Sequence, residues 1–142
     1  ALNYSLRGDL YKDAGDFEKA LDDFGRAIEV GPKKSWSGSR RYLKRGKFYR
    51  ELGRLQEALD DFNKANDYYP EYVTPYVERG SLYIELTQFD MAVDDYTRVI
   101  EIGGPYKPQA YHYRAIAFAE LGQRELSSQD KMEACALDRQ YC

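Results

Sequence analysis

The feature that most constrains this chain is an arginine followed by a small residue, which recurs at nearly regular intervals. Its copies are YSLRGDLY, YLKRGKFY, YVERGSLY and YHYRAIAF. They place Gly8, Gly46, Gly80 and Ala115 in one register, separated by 38, 34 and 35 residues. A period of 20 to 50 residues is the signature of a fold built by stacking similar supersecondary units. The chain therefore reads as four copies of one unit.

Each copy predicts two helices joined by a short turn. In the first copy Tyr4, Gly8 and Tyr11 lie three or four residues apart, which places them on one helix face. Gly15 suits a helix end and Asp16 suits the N-cap of the next helix. An apolar stripe at helical spacing then follows, formed by Phe17, Ala20, Leu21, Phe24, Ala27 and Ile28. The pattern predicts an all-α fold.

The order of aromatic, glycine, alanine and proline positions resembles the tetratricopeptide repeat family, whose period is 34 residues. The third copy departs from it at Thr87, which replaces the turn glycine, and the fourth is degenerate at Ser127 and Lys131. We interpret the fourth copy as a terminal repeat with a polar outer face. The resemblance implies an α-solenoid of about four helix-turn-helix units that forms a right-handed superhelix. We expect one domain over 1–142, with units at 1–34, 39–72, 73–106 and 108–142.

An arginine replaces the family's leucine in all four copies, and an aspartate follows each arginine 16 residues later. The pairs are Arg7 and Asp23, Arg45 and Asp61, Arg79 and Asp95, and Arg114 and Asp130. We favour a structural role, in which each arginine pairs with an aspartate on a second helix of its own or a neighbouring unit. The alternative is a row of ligand-binding arginines.

Composition and charge exclude several classes of protein. The net charge is −3, so no general affinity for nucleic acid or for an anionic membrane is expected. No apolar stretch approaches the ~20 residues of a membrane-spanning helix, and no signal peptide is visible at the start. A cytoplasmic location is the default. Cys135 and Cys142 are too few for a disulfide framework. Whether they pair is left open, and we interpret Cys135 as a small core residue.

The sequence offers no set of residues for catalysis. It contains a single histidine, His112, and no group of cysteines or acidic residues with the spacing of metal ligands. Neighbouring carboxylates such as Asp22 and Asp23 point about 100° apart on a helix and do not converge. We therefore predict no enzyme activity, no cofactor and no metal.

The resemblance also implies a concave groove lined by the first helix of each unit. The predicted partner-binding residues are Leu6, Asp9, Arg40, Leu43, Lys44, Lys47, Arg50, Val77, Glu78, Ser81, His112 and Tyr113. The second repeat, 39–72, makes the centre of this groove basic, which favours an acidic partner segment. The alternative for any one of these cations is a place on a solvated, charged face.

Some family members clamp the C-terminal carboxylate of a chaperone with Lys, Asn and Arg side chains from three consecutive first helices. The matching places here hold Ser5, Asp9, Lys44, Thr74 and Glu78. Starting one unit later, they hold Leu43, Lys47, Glu78, Gln109 and Tyr113. Neither set reproduces the clamp, so binding to chaperone tails of that kind is not expected.

The segment GPKKSWSGS, which links the first two units, is about four residues longer than the family period requires. It contains Trp36, which is interpreted as packing on a neighbouring helix; the alternative is a binding loop.

The sequence as a whole predicts a scaffold or adaptor that binds a peptide or helix of another protein in its groove. The alternative is an assembly unit that self-associates into homo-oligomers through its array ends or convex faces. Tyr68, Tyr69 and Tyr72 could serve either role.

Overall fold

The computed structural model describes all residues from 1 to 142 and contains eight α-helices and no strands. The helices are α1 Leu2–Asp13, α2 Phe17–Val30, α3 Trp36–Glu51, α4 Leu55–Tyr68, α5 Val73–Glu85, α6 Phe89–Ile102, α7 Lys107–Glu120 and α8 Arg124–Leu137. A short 3-10 helix, Arg139–Tyr141, follows α8. The predicted all-α solenoid class is confirmed. The chain divides into two compact units, Ala1–Tyr72 with α1 to α4 and Val73–Cys142 with α5 to α8.

Local sequence signals set the helix ends. The Asp16 carboxylate accepts a hydrogen bond from the Lys19 backbone N–H at 3.4 Å, which caps α2. Ser35 caps α3 in the same way, and α3 therefore begins at Trp36, inside the segment predicted as a linker. The turn between α5 and α6 carries Thr87 at φ 56°, a left-handed conformation that a β-branched residue rarely adopts.

In each of the first three repeats, a glycine on the first helix makes room for an aromatic ring on the second helix. A Cβ atom added to Gly46 would lie 2.8 Å from the Phe62 ring, and one added to Gly8 would lie 2.6 Å from Phe24. The fourth copy lacks the aromatic residue, because exposed Lys131 takes its place, and Ala115 stands where the glycine would be. The small residue and the ring therefore act as a matched pair.

Ser127 corrects one expectation about the terminal repeat. It does not contribute to a polar outer face, because its side chain is buried between α7 and α8. Its hydroxyl donates a hydrogen bond to the Ala115 carbonyl at 2.8 Å, which satisfies the buried polar group. Lys131 is exposed, as predicted for an outer face.

All four arginine–aspartate pairs predicted from the 16-residue spacing are present, and each joins the two helices of one repeat. Every arginine donates Nε and Nη2 to the two carboxylate oxygens of its aspartate, over distances of 2.5 to 2.9 Å. This bidentate geometry is the strong form of the interaction. The structural interpretation of the arginines is confirmed.

Each of these arginines also lies between two aromatic rings on its own helix, three residues before it and four residues after it. Their guanidinium carbons are 5.5 to 6.0 Å from the ring centroids. The rings are those of Tyr4 and Tyr11, Tyr42 and Tyr49, Tyr76 and Tyr83, and Tyr111 and Phe118. Cation–π contacts of this kind hold the guanidinium in place, and they account for half of the 14 tyrosines.

The carboxylates of these pairs differ in acidity because the pairs differ in burial. Hydrogen bonding from Arg7, whose side chain is 51% exposed, holds the pKa of Asp23 below its usual value. Burial raises the pKa of Asp61 and of Asp95, although Arg45 and Arg79 oppose that shift. The arginine at the first repeat is thus the most solvated of the four.

The end of the chain folds back on the last repeat. A disulfide joins Cys135 on α8 to Cys142, which settles the pairing that the sequence leaves open. The ring of Tyr141, within this closed loop, lies 4.9 Å from the imidazole of His112 on α7. The disulfide therefore holds the 3-10 helix near α7. No helix in the structure is both long and apolar enough to cross a membrane.

Candidate interaction site

The first unit contains an open cleft between α1 and α3, with a volume of about 820 Å³. This is within the range of ligand-binding clefts. Six of the predicted groove residues line it: Leu6, Asp9, Arg40, Leu43, Lys44 and Lys47. Arg50, also predicted for this groove, is half-buried on α3 and does not line the cleft.

The cleft has an apolar floor and an apolar rim. Leu43, Phe24 and Phe48 form the floor and are almost fully buried. Leu2 and Leu6 on α1 form the rim and are 70% and 55% exposed. Such large exposed side chains, four residues apart on one helix, leave an apolar surface that water alone covers.

Ion pairs neutralise part of the charge along the walls. Lys44 on α3 donates to the Asp9 carboxylate on α1 at 2.5 Å and lies 5.2 Å from the Phe24 ring centroid. Lys12 on α1 lies 2.5 Å from Glu51 on α3. The lining nevertheless keeps more cations than carboxylates, because Arg40, Arg41 and Lys47 are added to these two pairs.

One end of the cleft carries an aromatic cluster. The Arg40 guanidinium lies 4.7 Å from the Trp36 ring centroid, and the Trp36 ring lies 6.3 Å from that of Tyr72. Trp36 is the first residue of α3, and about half of it is exposed. Its ring contacts its own helix and the α4–α5 connection, not the neighbouring helix expected from the sequence. The other two tyrosines near it differ, since Tyr68 packs edge-on against Tyr42 at 5.1 Å and Tyr69 is exposed.

The predicted groove residues of the second unit lie on α5 and α7. Val77 is buried, and Glu78 and Ser81 are half-buried on α5. On α7, Tyr113 stacks on Tyr96 with ring centroids 5.7 Å apart, and His112 contacts Tyr113 and Tyr141. The side chains of His112 and Tyr113 therefore pack against other rings of the same unit.

Sequence reasoning assigned Phe24 to the core and did not assign Phe48 or Glu51 to the site. Phe48 lies four residues after Lys44 on α3, so helical spacing alone would have added it to the predicted face. Glu51 gives no such signal, because its partner Lys12 is 39 residues away in sequence. No group of His, Cys, Asp or Glu residues is arranged to hold a metal ion.

Comparisons with known proteins agree with the fold. The tetratricopeptide repeat profile matches residues 1–34, 39–72 and 73–102. The chain therefore belongs to the tetratricopeptide repeat family, whose members are typically protein–protein interaction modules and are generally non-enzymatic. No curated protein sequence matches the chain.

Solved structures share the fold at low sequence identity. A tetratricopeptide repeat protein from Parabacteroides merdae superposes with a TM-score of 0.85 and 23% identity, over 96% of this chain and 53% of that one. MamA 41-end from Desulfovibrio magneticus gives 0.80 and 20%, over 97% and 77%. The first repeat domain of Spaghetti (RPAP3), bound to the HSP90 peptide SRMEEVD, gives 0.70 and 22%, over 85% and 92%. This chain spans about half the length of the Parabacteroides protein.

Proposed function

We propose that this chain is a scaffold or adaptor module that binds a segment of another protein in the cleft between α1 and α3. The observation that carries the proposal is the exposed pair Leu2 and Leu6 above a floor of buried aromatic rings. An apolar side chain of the partner would cover these leucines and exclude water, which is the main source of affinity in such grooves.

The charge of the cleft supports an acidic partner segment. Arg40 stacks on Trp36 and makes no ion pair, so its guanidinium can donate hydrogen bonds to a partner carboxylate at the rim. Lys44 contributes less than the sequence suggested, because Asp9 already pairs with it. The preferred segment therefore combines an apolar anchor with an acidic residue near Arg40.

The likeness to the HSP90-peptide complex of Spaghetti supports the use of this fold for peptide binding. It does not extend to the ligand, because the identity is 22% and the places of the carboxylate clamp hold Ser5, Asp9 and Glu78.

A peptide display library panned against the full chain tests this proposal. Selected peptides should share an apolar residue with a nearby acidic one. Leu6→Asp and Arg40→Glu should each weaken their binding at least tenfold in fluorescence anisotropy. Lys64→Glu, an exposed charge change on α4, is the control and should have no effect. Equal binding by all three variants would place the site elsewhere.

Self-association through array ends or convex faces stays the second prediction. The mass of the wild-type chain across a concentration series separates the two ideas, since a stable oligomer that Leu6→Asp and Arg40→Glu leave intact would favour assembly over cleft binding.

A further inference from the structure

The segment that follows α8 is closed into a short loop by the disulfide between Cys135 and Cys142. We call residues 138–142 the cover segment. Its 3-10 helix brings the Tyr141 ring to 4.9 Å from the imidazole of His112 on α7. That imidazole therefore contacts two rings, one from the cover segment and one, at 5.2 Å, from Tyr113 of its own helix.

His112 occupies the place in its repeat that Leu43 and Val77 hold in the two repeats before it. Those two side chains are apolar and buried, whereas His112 is half-buried even with the Tyr141 ring beside it. His112 is also one of the residues predicted to bind a partner. The cover segment thus shields, from within the chain, a polar side chain that would otherwise be more open to water.

Hydrogen bonds do not fix the cover segment to α7. The Asp138 N–H donates to the Ala134 carbonyl at 2.9 Å, and the Tyr141 N–H donates to the Asp138 carbonyl at 3.1 Å. The Asp138 carboxylate accepts from the Gln140 backbone N–H at 3.0 Å. All hydrogen bonds of the segment lie within residues 134–142. The ring contact and the disulfide together therefore hold it against α7.

The ring contact between Tyr141 and His112 is too weak to order the cover segment by itself. Each residue that is fixed loses conformational entropy, and one contact between two rings gains less than this loss over several residues. The disulfide reduces the loss, because it confines the residues to a short closed loop even when they leave α7. Opening of this bond should therefore release Tyr141 from His112.

We propose that the bond between Cys135 and Cys142 is a reversible redox switch that controls access to His112. In the oxidised chain Tyr141 covers the imidazole. In the reduced chain the cover segment leaves α7, and the imidazole is open to solvent and to other molecules.

The switch is opened by thiol–disulfide exchange with a dithiol reductant. A thiolate of the reductant attacks Sγ of exposed Cys142, and half-buried Cys135 leaves as a thiolate that takes up a proton. The second thiol of the reductant then breaks the mixed disulfide and releases Cys142 as a thiol. Two electrons and two protons pass to the protein, and the reductant becomes a disulfide. Exposure of one sulfur-bearing residue favours this reaction, since exposed disulfides are the labile ones.

The reactivity of His112 tests the proposal, because this is the single histidine of the chain. Diethyl pyrocarbonate modifies accessible imidazoles, and ultraviolet absorbance follows the product. The full chain is measured at one pH after oxidation by oxidised glutathione and after reduction by dithiothreitol. We expect the rate constant to rise at least fivefold on reduction and to return to its first value on reoxidation.

Three variants separate the effect of the bond from that of the ring. Tyr141→Ala should react at the fast rate even when oxidised, because the cover is missing while the bond remains. The double variant Cys135→Ser with Cys142→Ser should react fast and ignore dithiothreitol. Tyr69→Ala, which removes an exposed tyrosine from the first unit, is the matched control and should respond as the wild type does. Circular dichroism confirms that all three fold.

Equal reactivity of His112 in the oxidised and reduced wild type would overturn the proposal, and so would a slow rate in oxidised Tyr141→Ala. A titration of free thiols checks the bond itself. Two free thiols per chain after treatment with oxidised glutathione would contradict the switch as well. The residues of the switch all lie in the second unit, so these results leave the cleft proposal untouched.

Discussion

Arg79 on α5 donates Nε and Nη2 to the two carboxylate oxygens of Asp95 on α6, at 2.8 and 2.5 Å. Both side chains are largely buried, and the rings of Tyr76 and Tyr83 flank the guanidinium. Removal of the arginine alone would leave a carboxylate in a place where burial already raises its pKa. Loss of one partner alone should therefore destabilise the fold more than loss of both partners.

Arg79→Met should lower the free energy of unfolding by about 3 to 5 kcal/mol, the usual cost of an unpaired buried charge. Urea denaturation measures this loss. The double variant Arg79→Met with Asp95→Leu should recover most of it, because no charge is then left unpaired. If the double variant were as unstable as the single one, the aromatic contacts of Arg79 rather than its charge would be responsible.

Because of the pair Arg7–Asp23, we expect the stability of the folded state to depend on pH in the acidic range. The pKa of Asp23 is lowered in the fold by hydrogen bonds from Arg7. Its ionised form therefore stabilises the folded state above pH about 4, and this contribution is lost as the pH falls through the folded-state pKa. Carboxyl NMR titration should show Asp23 titrating below its usual range and moving upward in Arg7→Gln.

In the same experiment Asp95 should titrate above its usual range, because burial raises its pKa. A common pKa for Asp23 and Asp95 would show that the difference in burial between these two pairs does not change the acidity of their carboxylates.

Thr87→Gly should stabilise the chain by about 1 kcal/mol, since glycine adopts the left-handed conformation of this turn without steric cost. The reciprocal change, Gly53→Thr, should destabilise it by a similar amount. A Cβ at Gly53 meets no atom within 4 Å, so that variant isolates the backbone effect. Thermal unfolding measures both, and a shift of the same sign in both would contradict the explanation.

Two glycines within helices should respond to alanine with opposite signs. Gly46→Ala places a Cβ against the buried Phe62 ring and should destabilise the fold by about 1 to 3 kcal/mol through overpacking. Gly25→Ala places its Cβ 3.6 Å from Arg45 Nη1, an ordinary contact, and should gain up to about 1 kcal/mol from helix propensity. Chemical denaturation of the two variants side by side checks the contrast.

The sequence predicted those features that depend on spacing within one repeat. The 16-residue interval between Arg45 and Asp61 joins two helices of the same repeat, so it recurs and can be recognised. The pair of Lys44 with Asp9 is not periodic, because other repeats carry different residues at these places. The sequence therefore overstated the free positive charge of the cleft.

Residues near the end of the chain were hardest to predict, for a physical reason. The repeat pattern ends with α8, and the path of the chain after it is fixed by the bond between Cys135 and Cys142. A spacing of seven residues does not by itself determine whether two cysteines can meet. Ser127 was misread for a related reason, since its hydrogen bond to Ala115 depends on how closely α7 and α8 approach.

Each of the four recurring arginines, Arg7, Arg45, Arg79 and Arg114, pairs with a carboxylate of its own repeat, and this has a consequence for the evolution of such proteins. A whole repeat can be duplicated or deleted without separating a cation from its anion. New lengths of array can therefore arise in a single genetic step, and subsequent sequence change is free to diversify the exposed surfaces.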